Sequence, residues 1–272
     1  MKKILTVYGT RPEAIKMAPL LMALKNVPEV EARVCVTGQH REMLRQVLEI
    51  FGIVPDFNLD LMREGHDLYD LTSRVLLGMR GVLAQCRPDM VLVHGDTTTT
   101  FAATLAAFYQ KIPVGQVAAG LGTHDRHSSS RGEATPALTG RLAACHFAPT
   151  PASKANLVAE GVSPDSIFVT GNTVIDALHY VLNQLERDAA RRARVQAHVA
   201  AAGYPPGARR MVLVTGHRRE NFGDGFERIS TALRTLAQRF GEVDFVYPVH
   251  LNPRVREPAH ALLSGIGNVH LI

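Results

Sequence analysis

One βαβ signature leaves this chain few folds to choose from. The apolar run Met90-Val91-Leu92-Val93 ends in His94-Gly95-Asp96-Thr97, and a second run, Ile112-Pro113-Val114-Gly115, ends in Gln116-Val117-Ala118-Ala119. Between them, Phe101 to Gln110 is small and apolar enough for a closely packed crossover helix. Two strands joined this way lie parallel, and a parallel sheet carries helices on its faces. Ligands then bind outside the carboxyl ends of the strands. The first strand end offers a carboxylate, an imidazole and hydroxyls; the second offers almost nothing reactive.

The same alternation runs through the whole chain. Strands are expected at Ile4 to Tyr8, Ala32 to Thr37, Cys145 to Ala148 and Ile167 to Thr170, with helices over Pro12 to Lys25, Glu42 to Phe51, Leu71 to Ala84 and Lys154 to Glu160. Asn172 or Thr173 suits an N-cap, and one long helical stretch is expected from about Val174 to Ala202. Gly203-Tyr204-Pro205-Pro206-Gly207 is the clearest linker signal. Beyond it come strands at Met211 to Thr215 and Asp244 to Val249, helices at Phe226 to Phe240 and Arg254 to Ser264, and the opening of a strand at Asn268 to Ile272. The expectation is an α/β chain with a complete domain over 1–183 and a partial one over 184–272.

At 272 residues and 46% hydrophobic the chain has a core for two modest domains. The apolar run after Met1-Lys2-Lys3 is too short for a signal-peptide core, and no stretch approaches a membrane span, so a cytoplasmic protein with no membrane partner is expected. Cys35, Cys86 and Cys145 are widely spaced and odd in number, which supports neither a disulfide framework nor a zinc site. A net charge of +5 raises nucleic acid as a partner, but there is no Trp and the cations are not interleaved with aromatics. Arg187, Arg191, Arg192 and Arg194 sit with Glu186 and Asp188 and read as a solvated helix face, so no nucleic-acid partner is expected. Mild basicity also suits an enzyme that binds an anionic nucleotide.

Four loops at strand ends carry candidate chemistry. In Gly9-Thr10-Arg11-Pro12-Glu13-Ala14-Ile15-Lys16, Arg11 and Lys16 could meet phosphate at a helix N-terminus, or be surface cations of an ordinary βα loop. Gln39 and His40 follow the second strand and reach either a ligand or solvent. Asp96 is a candidate general base, the alternative being that Asp96 or Thr97 caps the next helix. Thr215 to Gly223 holds His217 and Arg218 between glycines, a phosphate-site composition. His250, after the following strand, could approach the same site or be a structural histidine.

Together, Gly9-Thr10-Arg11-Pro12-Glu13, Val93-His94-Gly95-Asp96-Thr97-Thr98, Val169-Thr170-Gly171-Asn172-Thr173-Val174-Ile175-Asp176 and Gly216-His217-Arg218-Arg219-Glu220-Asn221 resemble the non-hydrolysing UDP-N-acetylglucosamine 2-epimerases, over essentially the whole chain. The resemblance implies a GT-B-like pair of Rossmann-like domains facing a cleft, the second incomplete here. It implies an isomerase of cell-surface polysaccharide biosynthesis that interconverts UDP-GlcNAc and UDP-ManNAc. The route it implies is elimination of UDP to a 2-acetamidoglucal and re-addition, with no cofactor and no metal. By position, Asp96 belongs to the carboxylates that move the C2 proton. Arg11 and His217 contact the UDP, His217 being also a catalytic candidate; Arg218 and His250, from their own places after strands, are expected to bind substrate. Lys16, Gln39 and His40 line a second, activating UDP-GlcNAc site known in some bacterial members. The oligomeric state stays open, a homodimer included.

The chain departs from that pattern between positions 116 and 136. Where the family has Glu at 118 and 132 and Arg at 136, this sequence has Ala118, Gly132 and Pro136, with Glu133 surviving one place along. Gln116, Gly122, Ser130, Arg131 and Thr135 differ too, and all eight differences can arise by single nucleotide changes, which reads as damage to the gene region. The family's stretch for the UDP ribose and phosphates would lie beyond Ile272. Impaired turnover is therefore expected, the second reading being a non-catalytic UDP-sugar-binding or regulatory protein using Arg11, Lys16, Gln39 and His40.

Overall fold

The computed structural model describes the chain except for residues 39–40, 62–66, 122–133, 206, 208 and 217–221. It divides into two compact units, Met1–Leu182 and Asn183–Ile272.

The first unit runs β1 (Lys2–Tyr8), α1 (Arg11–Lys25), β2 (Val30–Val36), α2 (Arg41–Phe51), β3 (Phe57–Asn58), α3 (Leu68–Cys86), β4 (Met90–His94), α4 (Thr98–Tyr109), β5 (Val114–Val117), α5 (Ala134–Leu142), β6 (Cys145–Ala148), α6 (Pro151–Ala159) and β7 (Ile167–Val169), and ends within α7 (Thr173–Arg187). Its sheet has the order β3-β2-β1-β4-β5-β6-β7, parallel at every pairing. Alternate side chains of each central strand feed opposite cores. Leu5, Val7, Val91 and Val93 pack with Val75, Met79 and Leu83 of α3 and with Ala102, Ala103, Ala106 and Ala107 of α4. Tyr8, Val34 and Leu92 pack with Met17 and Leu21 of α1, Leu44 and Leu48 of α2, and Ala177 of α7. Burial on both faces is why these strands read as unbroken apolar runs. The alanines of α4 are all buried, so the small crossover helix is closely packed.

One reading of the helices changes. The stretch 174–202 is two helices, α7 and then α8 (Ala189–Ala201), because Asp188 leaves helical geometry and its Oδ1 accepts a 2.8 Å hydrogen bond from the Arg191 amide. An N-cap inside an apparently continuous pattern ends one helix and starts another. The helix α5, which begins inside the divergent stretch 116–136, and the two-residue strand β3 carry too little periodic signal to be read in advance. At the start of α7 the Asn172 side chain accepts from the Val174 amide at 3.2 Å, so Asn172 makes the capping bond.

The second unit contains α8, β8 (Arg210–Leu213), α9 (Asp224–Arg239), β9 (Val243–Tyr247), α10 (Pro253–Leu263) and β10 (Val269–Leu271). Its parallel sheet has the order β10-β9-β8, over a core of Phe226, Tyr247, Val255, Ala259 and Leu263.

Candidate functional site

Strand order locates the site in the first unit. β1 pairs with β2 on one side and β4 on the other, so the chain leaves β1 and β4 in opposite directions along the sheet. That reversal is the switch point where open α/β sheets bind ligands. The loops there are Gly9–Thr10 and Gly95–Thr97. Arg11, exposed at the start of α1, and Lys16, half-buried a turn further on, flank one loop; Asp96, exposed, sits in the other.

The threonines after Asp96 are structural. Thr97 is the N-cap of α4 and accepts from the Thr100 amide at 3.2 Å, which leaves Asp96 free of capping duty. Thr99 shares a 2.9 Å hydrogen bond with Thr37 at the end of β2. Thr100 donates to the His94 carbonyl at 2.6 Å.

Glu13, which sequence reasoning passed over, is a buried ionisable group of this site. It is 2% exposed, and its Oε2 accepts from the Gly9 and Thr10 amides, both at 2.8 Å, and from the Thr10 hydroxyl at 3.0 Å. Its Oε1 accepts from the Thr97 hydroxyl. Burial pushes the Glu13 carboxyl above its ordinary range, against the pull of these donors. The available signal was Thr10-Arg11-Pro12-Glu13, the spacing of a capping box.

His94 is 4% exposed, and neither ring nitrogen has a hydrogen-bond partner among the described residues. Desolvation, with Lys16 nearby, pushes the imidazole down to about 3, so it is neutral at physiological pH. His146 is shifted the same way by burial.

The end of β5 is strained. Ala118 has φ 55°, a left-handed conformation that costs a non-glycine residue about 1–2 kcal/mol. Such strain persists where surrounding structure enforces it, and functional loops are the usual place. Gln116 points its Oε1 into the interior without a partner among the described residues. Pro136 lies in α5.

Gln39, His40, His217 and Arg218 lie outside the described residues, as do Gly122, Ser130, Arg131, Gly132 and Glu133. Beside Gly38, a mostly apolar groove of about 790 Å³ is walled by Leu44, Leu48, Val54, Asn58 and Asp60. It lies at the β2–β3 edge, apart from the switch point. In the second unit His250 is exposed, and its Nδ1 accepts from the Asn252 amide at 3.1 Å. The Tyr247 hydroxyl donates to the Gly216 carbonyl at 2.6 Å, which holds the loop after β8 against the end of β9. The first unit thus brings Arg11, Lys16 and Asp96 to one sheet end; His250 belongs to the second unit. Among the described residues no group of three or more His, Cys, Asp or Glu side chains converges as a metal site needs.

Comparison with known proteins gives a consistent result. The family model for UDP-N-acetylglucosamine 2-epimerase matches residues 22–272. The UDP-N-acetylglucosamine 2-epimerase of Escherichia coli K12 is 54% identical over 272 residues, covering 99% of this chain and 71% of that protein. The Yersinia pestis protein of the same name is also 54% identical, over 270 residues, with the same coverage. The crystal structure of UDP-GlcNAc 2-epimerase from Neisseria meningitidis bound to UDP-GlcNAc superposes with a TM-score of 0.91 at 47% identity, covering 99% of this chain and 72% of that one.

Proposed function

The chain belongs to the UDP-N-acetylglucosamine 2-epimerase family, and from that premise we propose how its residues divide the work of interconverting UDP-GlcNAc and UDP-ManNAc. The observation that carries this division is the pairing of β1 with β4, which sets the cationic start of α1 beside the Asp96 loop at the switch point. Asp96 is the carboxylate that removes the C2 proton. The C2–H electron pair becomes the C1=C2 bond of the 2-acetamidoglucal, and the C1–O pair departs with UDP. Arg11, with His217 and Arg218, meets the charge that develops on the diphosphate. Re-addition forms C1–O again and needs an acid that delivers a proton to the opposite face of C2. Lys16, Gln39 and His40 line a second UDP-GlcNAc site, and His250 is assigned to substrate binding.

The opposite-face acid is where turnover is impaired. Ala118 has no ionisable proton to give, and neither has Gly132; loss of one such group typically costs about 10²- to 10⁴-fold in rate. The reaction belongs in the cytoplasm, in keeping with the free thiols of Cys35, Cys86 and Cys145. Among the described residues no helix is long and apolar enough to cross a membrane.

The test is deuterium incorporation at C2 of UDP-GlcNAc in deuterated water, run beside calorimetric binding. The chain should bind UDP-GlcNAc and exchange slowly, and Ala118→Glu with Gly132→Glu should raise exchange at least a hundredfold. Equal exchange before and after restoration overturns the impairment. Absence of binding at millimolar UDP-GlcNAc overturns the assignment of Arg11 and Asp96.

A further inference from the structure

We propose that Glu13 is a positioning residue for this reaction: its buried carboxylate ties the Gly9–Arg11 loop to the first turn of α4 and so fixes Arg11 relative to Asp96. The inference rests on the reading that these two loops form the UDP-sugar site.

A glutamate at the third position of a helix ordinarily reaches back only to its own N-cap amide. Glu13 does that with Oε2, which takes the Gly9 and Thr10 amide protons and the Thr10 hydroxyl proton. Its other oxygen leaves the local motif altogether. It accepts the hydroxyl proton of Thr97, a residue distant in sequence that begins the next strand's helix. The shortest contacts around Thr97 set the proton arrangement. Its hydroxyl gives its single proton to Glu13 and accepts the Thr100 amide, while the Thr100 hydroxyl gives its own to the His94 carbonyl. The Thr100 hydroxyl also lies 3.3 Å from Glu13 Oε1 and 3.2 Å from the Thr97 hydroxyl, both longer than its 2.6 Å bond to the His94 carbonyl.

Two helix N-termini therefore converge on one carboxylate, where both dipoles favour negative charge. Arg11 is one residue beyond the Thr10 amide, and Asp96 is one residue before Thr97. Each bond to Glu13 thus acts next to a residue assigned to substrate. A surface glutamate could not do this, because solvent would compete for the same donors; at 2% exposure it does not. Glu13 contacts no substrate in this scheme and acts only through the loops it holds.

The test compares the unaltered chain with Glu13→Gln, which keeps the length, and Glu13→Asp, which keeps the charge but is too short to span both loops. The first readout is amide hydrogen exchange. In Glu13→Asp the segments 9–14 and 95–101 should exchange about tenfold faster or more, together, while the interiors of β1 and β4 stay protected. Glu13→Gln should lie between the two. The second readout is kcat against KM for C2 deuterium incorporation, in the Ala118→Glu, Gly132→Glu background. There Glu13→Asp should lower kcat about 10²-fold with a smaller change in KM. Loosening of one segment without the other overturns the inference, and so does an unchanged kcat in Glu13→Asp. If the unaltered chain fails to bind UDP-GlcNAc, the functional reading is what fails. The exchange data alone then decide whether Glu13 couples the loops.

Discussion

Gly120 lies against the backbone of Ser153 so closely that a Cβ on Gly120 would stand 2.2 Å from the Ser153 carbonyl oxygen. Its φ of 76° is left-handed, and its own carbonyl accepts from the Asn156 side chain at 3.1 Å. The turn after β5 is thus locked onto α6 by contact, torsion and hydrogen bond at once.

Gly120→Ala should destabilise the chain by about 3 kcal/mol, adding overpacking of roughly 1–3 kcal/mol to left-handed strain of about 1–2 kcal/mol. Ser153 contributes backbone at this contact, so no rotamer change relieves it. Urea unfolding measures the cost; a loss below about 1 kcal/mol would show that the turn can lift off α6.

His94 should make the fold sensitive to acid. Its imidazole titrates near 6.5 when unfolded and is pushed down to about 3 when folded. Between those values the unfolded chain binds a proton that the folded chain refuses. Stability is therefore full above pH 6.5 and is lost as pH falls, by about 1.4 kcal/mol per unit. From pH 7 to pH 5 the loss assigned to His94 is about 2 kcal/mol. His94→Leu removes a polar group without a partner among the described residues and should flatten that slope while leaving stability at pH 7 nearly unchanged or higher. Burial shifts His146 in the same direction, so a smaller residual slope should remain. An unchanged slope in His94→Leu would contradict the assignment.

Asn268 should be a stability determinant of the second unit. Its buried Nδ2 lies 3.0 Å from the Ala237 and Phe240 carbonyls and 2.8 Å from that of Val243. It closes the end of α9 onto the start of β9. Asn268→Ala strands those acceptors and should cost about 1–3 kcal/mol. Hydrogen exchange should rise at the end of α9 and the start of β9 and stay unchanged in β1. Uniform loosening of the whole chain would argue against a local role.

The sequence shows the fold class readily because burial on both sheet faces writes strands such as Met90 to His94 as continuous apolar runs. Helices with one apolar face, such as α3, are equally plain. What stays hidden depends on distant partners. Asp188 ends a helix through one side-chain bond within an Ala- and Arg-rich stretch that otherwise reads as continuous. Glu13 looks like a local cap because Thr97, its second partner, is far along the chain. The hydroxyls after Asp96 look reactive, yet Thr97, Thr99 and Thr100 are committed to Glu13, Thr37 and the His94 carbonyl. Arg11, Lys16 and Asp96 were legible as candidates because they follow strands. That β1 and β4 are neighbours, and so that their loops lie side by side, follows only from the sheet order.

Ala118 turns that backbone strain into a measurable claim about the β5 end. Its φ of 55° is enforced by the turn locked through Gly120 and not by any preference of alanine. Ala118→Gly relieves about 1–2 kcal/mol of strain and adds about 0.5–1 kcal/mol of unfolded-chain entropy, so the variant should be more stable by roughly 0.5–1 kcal/mol. Ala118→Glu keeps a Cβ in the same torsion and should gain nothing from this source, even as it restores a proton donor. The two substitutions therefore separate conformation from chemistry at one position. Glycine should raise the urea midpoint without raising C2 deuterium incorporation, and glutamate, paired with Gly132→Glu, should raise incorporation without raising the midpoint. If glycine lowers the midpoint, the left-handed backbone at 118 is not strained, and the β5 end loses its standing as an enforced functional turn.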